Sequence, residues 1–226
     1  RYGEAAAEPI ADAVRAVVTD QATIAVIGDL DAGTARTSVP LLDAAGILHV
    51  SPGTASTTFA NPSGQPTFFS LAPTAAAQAA ALPRPVRVEA EGSEAAQNLA
   101  AAVGGDKRAR TTFYAGYDAF NAAGVADALR RDGQRVILSA DFASADLSGR
   151  YPTLTNLADP PADFAAAFAD AYPGRTADAW AYRGWTAMHR VLEAVDGAGA
   201  KARDRQAVID AYAAEPPFDP PVRVAP

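Results

Sequence analysis

What most constrains this chain is an alternation of short apolar runs, closed by glycine or a turn, with longer segments whose apolar residues recur at helical spacing. Residues 5–18 place Ile10, Ala13, Val14, Val17 and Val18 on one helical face, and Ile24-Ala25-Val26-Ile27 then forms a continuous apolar run ending at Gly28. Residues 34–45 read as a second helix with Val39, Leu41 and Leu42 inward, followed by the short strand Ile47-Leu48-His49-Val50 and the turn Ser51-Pro52-Gly53. Strand, helix, strand in that order predicts a parallel sheet with right-handed crossovers, an α/β protein.

The alternation continues. A strand is expected at residues 67–71 and an Ala-rich helix at 74–82, which Pro83-Arg84-Pro85 breaks. A second series then begins at Val86-Arg87-Val88, with a helix at 93–103, a strand at 111–115, a helix at 118–131 and a strand at 135–140, and it reads as a second lobe. Residues 141–161, rich in Ser, Gly, Asp and Pro, read as loop and crossover. Helices follow at 162–172, 179–195 and 204–213, and the chain ends in a Pro-rich tail.

Charge and composition remove whole classes of function. The net charge is −7 and the 19 basic residues are scattered, so no stripe exists to hold a phosphate backbone. No run of 18 apolar residues spans a membrane, and no charged-then-apolar start marks a signal peptide. Without cysteine there are no disulfides, thiolate metal sites or cysteine nucleophiles. At 226 residues the chain fits one large domain or two modest lobes.

The strongest catalytic signal is the strand end Asp29-Leu30-Asp31-Ala32-Gly33-Thr34, close to the Asp-x-Asp-x-Thr nucleophile loop of haloacid-dehalogenase-type phosphatases. An extra residue before Thr34 spoils the spacing, and no downstream Lys with paired Asp completes a magnesium site. Two acids at a strand-to-helix turn, with Asp31 or Thr34 near the N-cap, is the stronger reading. The two histidines, His49 in a strand and His189 on a helix, read as structural. No Gly-x-Ser-x-Gly, Walker loop or Gly-x-Gly-x-x-Gly is present. What remains is a pair of turns, residues 31–34 and 53–57, carrying small and hydroxyl residues where a parallel sheet collects its ligands. Ordinary capping and turn chemistry accounts for these residues equally well.

Residues 24–34, then Val39-Pro40-Leu41-Leu42-Asp43-Ala44-Ala45-Gly46-Ile47-Leu48-His49-Val50-Ser51-Pro52-Gly53-Thr54-Ala55, resemble in order and spacing the type I periplasmic binding proteins of branched-chain amino-acid transport. The resemblance continues through residues 67–73, through Phe113-Tyr114-Ala115-Gly116-Tyr117-Asp118, and through Phe164, Phe168, Tyr172, Tyr182 and Trp185. It implies two doubly wound lobes with parallel sheets joined by a three-stranded hinge, residues 1–82 with 160–215 and residues 83–159 with 216–226, closing on a ligand in a cleft. It further implies a monomeric solute-binding protein of an ABC importer, outside the cytoplasm and free or lipid-anchored. Such a protein has a permease as partner, a small polar ligand and no nucleic acid, and carries neither catalysis nor cofactor nor metal. A ligand-sensing ectodomain of the same fold is the alternative, with the phosphatase behind it.

The same resemblance places the ligand carboxylate at Ala32, Gly33, Gly53 and Ala55, in the two turns whose Asp31, Thr34, Thr54 and Ser56 are read as ligand contacts with them, the ammonium at Asp141, and Tyr117 and the Trp180 wall beside them. The chain departs from it at Ala32 and Ala55, where amino-acid binders carry hydroxyls; each missing bond to a charged acceptor is worth roughly 1.5 to 3 kcal/mol. Either Thr34, Thr54 or Ser56 compensates, or the ligand is not a plain branched-chain amino acid, the reading favoured here. Against the family the chain also lacks an opening strand-helix-strand unit, and the expectation is that further segments belong near residues 82–86 and 218–221.

Overall fold

The computed structural model describes residues 3–30, 32–54, 63–72, 75–90, 94–104, 111–115, 135–139, 153–155, 160–216, 218 and 223–225. Contacts divide the chain into two compact units, Arg1–Ala72 with Asp159–Asp219, and Pro73–Ala158 with Pro220–Pro226.

The first unit is a parallel sheet between helices. Helix α1 (Gly3–Thr19) leads to β1 (Ala25–Ile27), α2 (Ala32–Ala44), β2 (Leu48–Ser51) and β3 (Phe68–Ser70), and the strands pair in the order β1-β2-β3, all parallel. Strand β2 is buried along its length, as the central strand of a covered parallel sheet must be. Alternation then sets its two faces. Leu48 and Val50 join Leu71 and the inward residues Ala187, Val191, Ala194, Val208, Ile209 and Tyr212 in one apolar cluster. Those come from α6 (Ala179–Ala198) and α7 (Arg205–Ala214), while α5 (Ala162–Ala171) precedes them. His49 points to the other face, toward α2, with its ring edge-on to Phe68 at 5.0 Å.

Caps and turns fix where these helices begin and end. Asp178 accepts from Ala181 N at 2.7 Å at the start of α6, and Asp204 accepts from Gln206 N and Ala207 N at the start of α7. The turn that closes α2 passes through Gly46, left-handed at φ 61°, with Gly46 N donating to Asp43 O at 2.9 Å and Ile47 N to Leu42 O at 3.0 Å. A Cβ here meets no neighbour within 4 Å, so only backbone conformation opposes one. Gly46→Ala should therefore cost about 1 to 2 kcal/mol, read as a lower urea midpoint at unchanged slope. An unchanged midpoint would contradict the assigned turn.

The second unit holds α3 (Ala75–Ala81), β4 (Val86–Ala90), α4 (Glu94–Val103), β5 (Thr111–Ala115), β6 (Arg135–Ser139), β7 (Thr153–Thr155) and β8 (Arg223–Ala225). Its five strands run β4-β5-β6-β7-β8, parallel except that β8 is antiparallel to β7. Two of these strands correct the sequence reading, because β7 falls in the stretch read as loop and β8 in the Pro-rich tail. Each is three residues long, too short for alternation to show. Residues 73–82 belong with this unit because α3 packs on α4. The helix expected at 118–131 lies outside the described residues.

Candidate functional site

In a parallel sheet the carboxyl ends of the strands are where backbone groups run out of ladder partners, and in the first unit a relay of hydroxyls takes their place. Gly28 N donates to Val50 O at 3.1 Å, closing β1 on β2. Just beyond, the Asp29 carbonyl accepts from Ser51 Oγ at 2.5 Å and from Thr54 Oγ1 at 3.2 Å. Ser51 Oγ accepts in turn from Thr54 N at 2.9 Å and Gly53 N at 3.3 Å, and Ser70 Oγ at the end of β3 donates to Thr54 O. The three strand ends thus form one bonded rim. Sequence alone shows these residues as turn formers and does not show that Asp29 is their hub.

A rigid wall stands against this rim. Gly53 leaves room for nothing larger: a Cβ there would lie 2.7 Å from the Leu30 carbonyl oxygen and 3.0 Å from the Trp180 ring. Trp180, 38% exposed, and Leu30, 63% exposed, present apolar surface beside a turn made of polar backbone. From α6, Arg183 donates to Pro52 O at 2.9 Å and sets its guanidinium 5.7 Å from the centre of the Trp180 ring. Buried Arg183 was not among the residues singled out by sequence, since a lone Arg on an amphipathic helix reads as a solvated charge.

Of the residues expected at the site, the structure brings Gly53, Thr54 and Trp180 together. Thr54 is buried with its hydroxyl spent on Asp29, so it serves the rim's own structure. Ala32 opens α2, and exposed Gly33 and half-buried Thr34 follow in its first turn, where amide groups lack helical acceptors. Asp31, Ala55, Ser56, Tyr117 and Asp141 lie outside the described residues.

The Asp29 carboxylate, 12% exposed, accepts from Ser38 Oγ on α2 and stands 3.4 Å from His49 Nε2. A carboxylate so enclosed is a poor nucleophile for a bulky phosphate ester, which weighs against the phosphatase reading. His49 is buried, and burial pushes its pKa below the ordinary histidine value, opposed by the Asp29 charge and by the backbone at Gly28. His189 is instead exposed on α6, stacked on Trp185 at 4.8 Å and 3.3 Å from Glu193. Among the described residues no three His, Cys, Asp or Glu side chains gather as a metal site would need. No helix among them is long and apolar enough to cross a membrane.

No protein-family model matches this chain, and no curated relative does. Solved structures do. A leucine-binding protein from Thermotoga maritima superposes with a TM-score of 0.71 at 15% identity, over 91% of this chain and 73% of its own. A type 1 periplasmic binding protein from Bordetella pertussis Tohama I gives 0.73 at 17% identity, over 95% of this chain and 76% of its own. A solute-binding protein of an ABC transporter from R. palustris, solved with benzoate, gives 0.67 at 15% identity, over 92% and 72%. At these identities the likeness establishes the fold, which is that of the type I periplasmic binding proteins.

Proposed function

We propose that this chain, built on the type I periplasmic-binding-protein fold, is the solute-binding component of an ABC importer and takes a small carboxylate-bearing solute at the strand-end rim of its first unit. The observation that carries this reading is the packing at Gly53, which sets the start of α2, two residues past Leu30, beside the apolar Trp180 and Leu30 surfaces. An anion fits the first and an apolar body the second. The solved neighbours support the class, one being a leucine-binding protein and another carrying benzoate. In this reading Gly33, Thr34 and Gly53 face the carboxylate and Trp180 the apolar body. Asp31, Ala32, Ala55, Ser56, Tyr117 and Asp141 join this proposal as further ligand contacts on the sequence resemblance alone. The protein works outside the cytoplasm as a monomer and delivers to a permease.

The ligand favoured is a carboxylate other than a plain branched-chain amino acid, because Ala32 opens α2 without a hydroxyl to offer. A thermal-shift screen of leucine, isoleucine, valine, benzoate, 3,4-dihydroxybenzoate and small amides is the direct test. A ligand at 100 times its dissociation constant adds about 2.7 kcal/mol, a shift of several degrees in a protein of this size. The expected result is a shift with aromatic carboxylates that exceeds the shift with leucine. Tight leucine binding would reverse the choice of ligand, and silence across the whole panel would refute carboxylate capture.

A further inference from the structure

His49 has no part in ligand capture as described, yet its polar ring is buried in the first unit. It is 1% exposed on a fully buried strand, and neither ring nitrogen has a well-formed hydrogen bond among the described residues. A buried polar atom left in that state needs an explanation. The explanation available is its neighbour, the Asp29 carboxylate, 3.4 Å from Nε2 and already bonded to Ser38 Oγ. Asp29 is also the hub of the rim, since its carbonyl holds both Ser51 and Thr54. One residue therefore joins a titratable ring to the backbone of the candidate ligand turn.

We propose that His49 is a positioning residue for that turn, and that a proton on its ring draws the Asp29 carboxylate away from Ser38 and shifts the rim to which Gly53 and Thr54 are tied. The neutral ring carries a single N–H, and with that proton on Nδ1 it offers Asp29 no donor and leaves the carboxylate to Ser38. The imidazolium has donors at both nitrogens and competes for the same Oδ2 with a charge-assisted bond, which outweighs a neutral hydroxyl's. Movement of Asp29 passes through its carbonyl to Ser51 Oγ and Thr54 Oγ1, and the turn reaches the Trp180 ring at Gly53.

The remaining charges near the ring do not obscure this exchange. On α2 the buried carboxylate is Asp43, which is occupied by Ser63 N at 2.7 Å, Ser63 Oγ at 2.9 Å and Thr67 Oγ1 at 2.5 Å, and Arg36 is exposed. Strand β3 presents the Phe68 ring, and β1 places Val26 in register with His49. Helix α1 packs on α2 and carries an exposed pair, Asp12 and Arg15. Arg183 approaches from α6, on the opposite face of the sheet. Burial places the folded-state titration of His49 below the ordinary value of about 6.5, so the unfolded chain takes the proton first. Stability is then full above about pH 6.5 and is lost as pH falls toward the folded pKa.

The proposal rests on reading this rim as a ligand site, but its test needs no ligand. The chain has two tryptophans and two histidines, so Trp185→Phe leaves Trp180 as the reporter, and His189→Gln leaves His49 as the titrating ring. In that background, Trp180 emission should shift sigmoidally as pH falls from about 8 to 5, with a midpoint below about 6.5, and the step should vanish on adding His49→Gln. Should His49→Gln fail to fold, nuclear magnetic resonance on the wild-type chain decides: the Gly53 and Thr54 amide shifts should follow the His49 ring with a common midpoint. A step that survives His49→Gln overturns the proposal, as does a His49 titration that leaves Trp180 and both amides unmoved. Failure of the carboxylate screen with this titration intact would strike the ligand reading alone.

Discussion

Replacing Arg205 by methionine should cost about 3 kcal/mol and lower the unfolding midpoint by about 10 °C. The side chain, at the first position of α7, donates to three backbone carbonyls: Nε to Thr23 O at 2.9 Å, Nη1 to Ala45 O at 3.1 Å and Nη2 to Asp20 O at 3.0 Å. Those carbonyls belong to the turn before β1 and the turn after α2, so one guanidinium ties α7 to both entrances of the sheet. Each hydrogen bond from a charged donor contributes about 1.5 to 3 kcal/mol; the two part-buried bonds, to Thr23 O and Ala45 O, count at the lower end, and the exposed bond to Asp20 O adds little. Methionine keeps the apolar stem and removes only the donors. Arg205→Lys is the second arm, since an ammonium cannot span three diverging carbonyls and should recover a minor part of the loss. A cost below about 1 kcal/mol, or full recovery with lysine, would mean that the fork is not what fixes these turns.

The periodicity that announced the fold and the contacts that make the site are different kinds of information. Helix α2 and strand β2 were legible because burial forces apolar residues to recur, and Val39, Leu42, Leu48 and Val50 do recur. Strands β7 and β8 were not, because three residues apiece leave no repeat to find. At the site, Gly53 and Thr54 were legible as turn residues. Their roles were not, since these depend on Asp29, Ser70 and Trp180, which lie far away in sequence and meet only in the fold. His49 and Asp29 illustrate the same limit. One read as a core histidine and the other as half of an exposed acidic pair, and only the register of β1 on β2 makes them neighbours.

That dependence on distant neighbours makes Gly53→Val the sharpest test of the site. Its Cβ would stand 2.7 Å from the Leu30 carbonyl oxygen, a backbone atom with little freedom to retreat, and 3.0 Å from the Trp180 ring, which Arg183 backs. The branched side chain adds volume where none is free, and overpacking of this kind costs about 1 to 3 kcal/mol. Stability is the smaller part of the expectation. If the start of α2, the Gly53 turn and the Trp180 face form one binding surface, separating them removes the contacts to anion and apolar body together. Affinity for the carboxylate that scores in the thermal screen should fall at least about 100-fold, since each charge-assisted bond lost is worth about 1.5 to 3 kcal/mol. Gly53→Ala should fall between, and Trp180 emission should move in both variants. Gly184→Ala is the matched control, because a Cβ there meets nothing within 4 Å and alanine suits the interior of α6. It should add up to about 1 kcal/mol of stability and leave affinity alone. A Gly53→Val protein that binds as wild type while its Trp180 emission moves would place the ligand elsewhere. Equal losses from Gly184→Ala would show that the helix, and not the turn, is what the substitution disturbs.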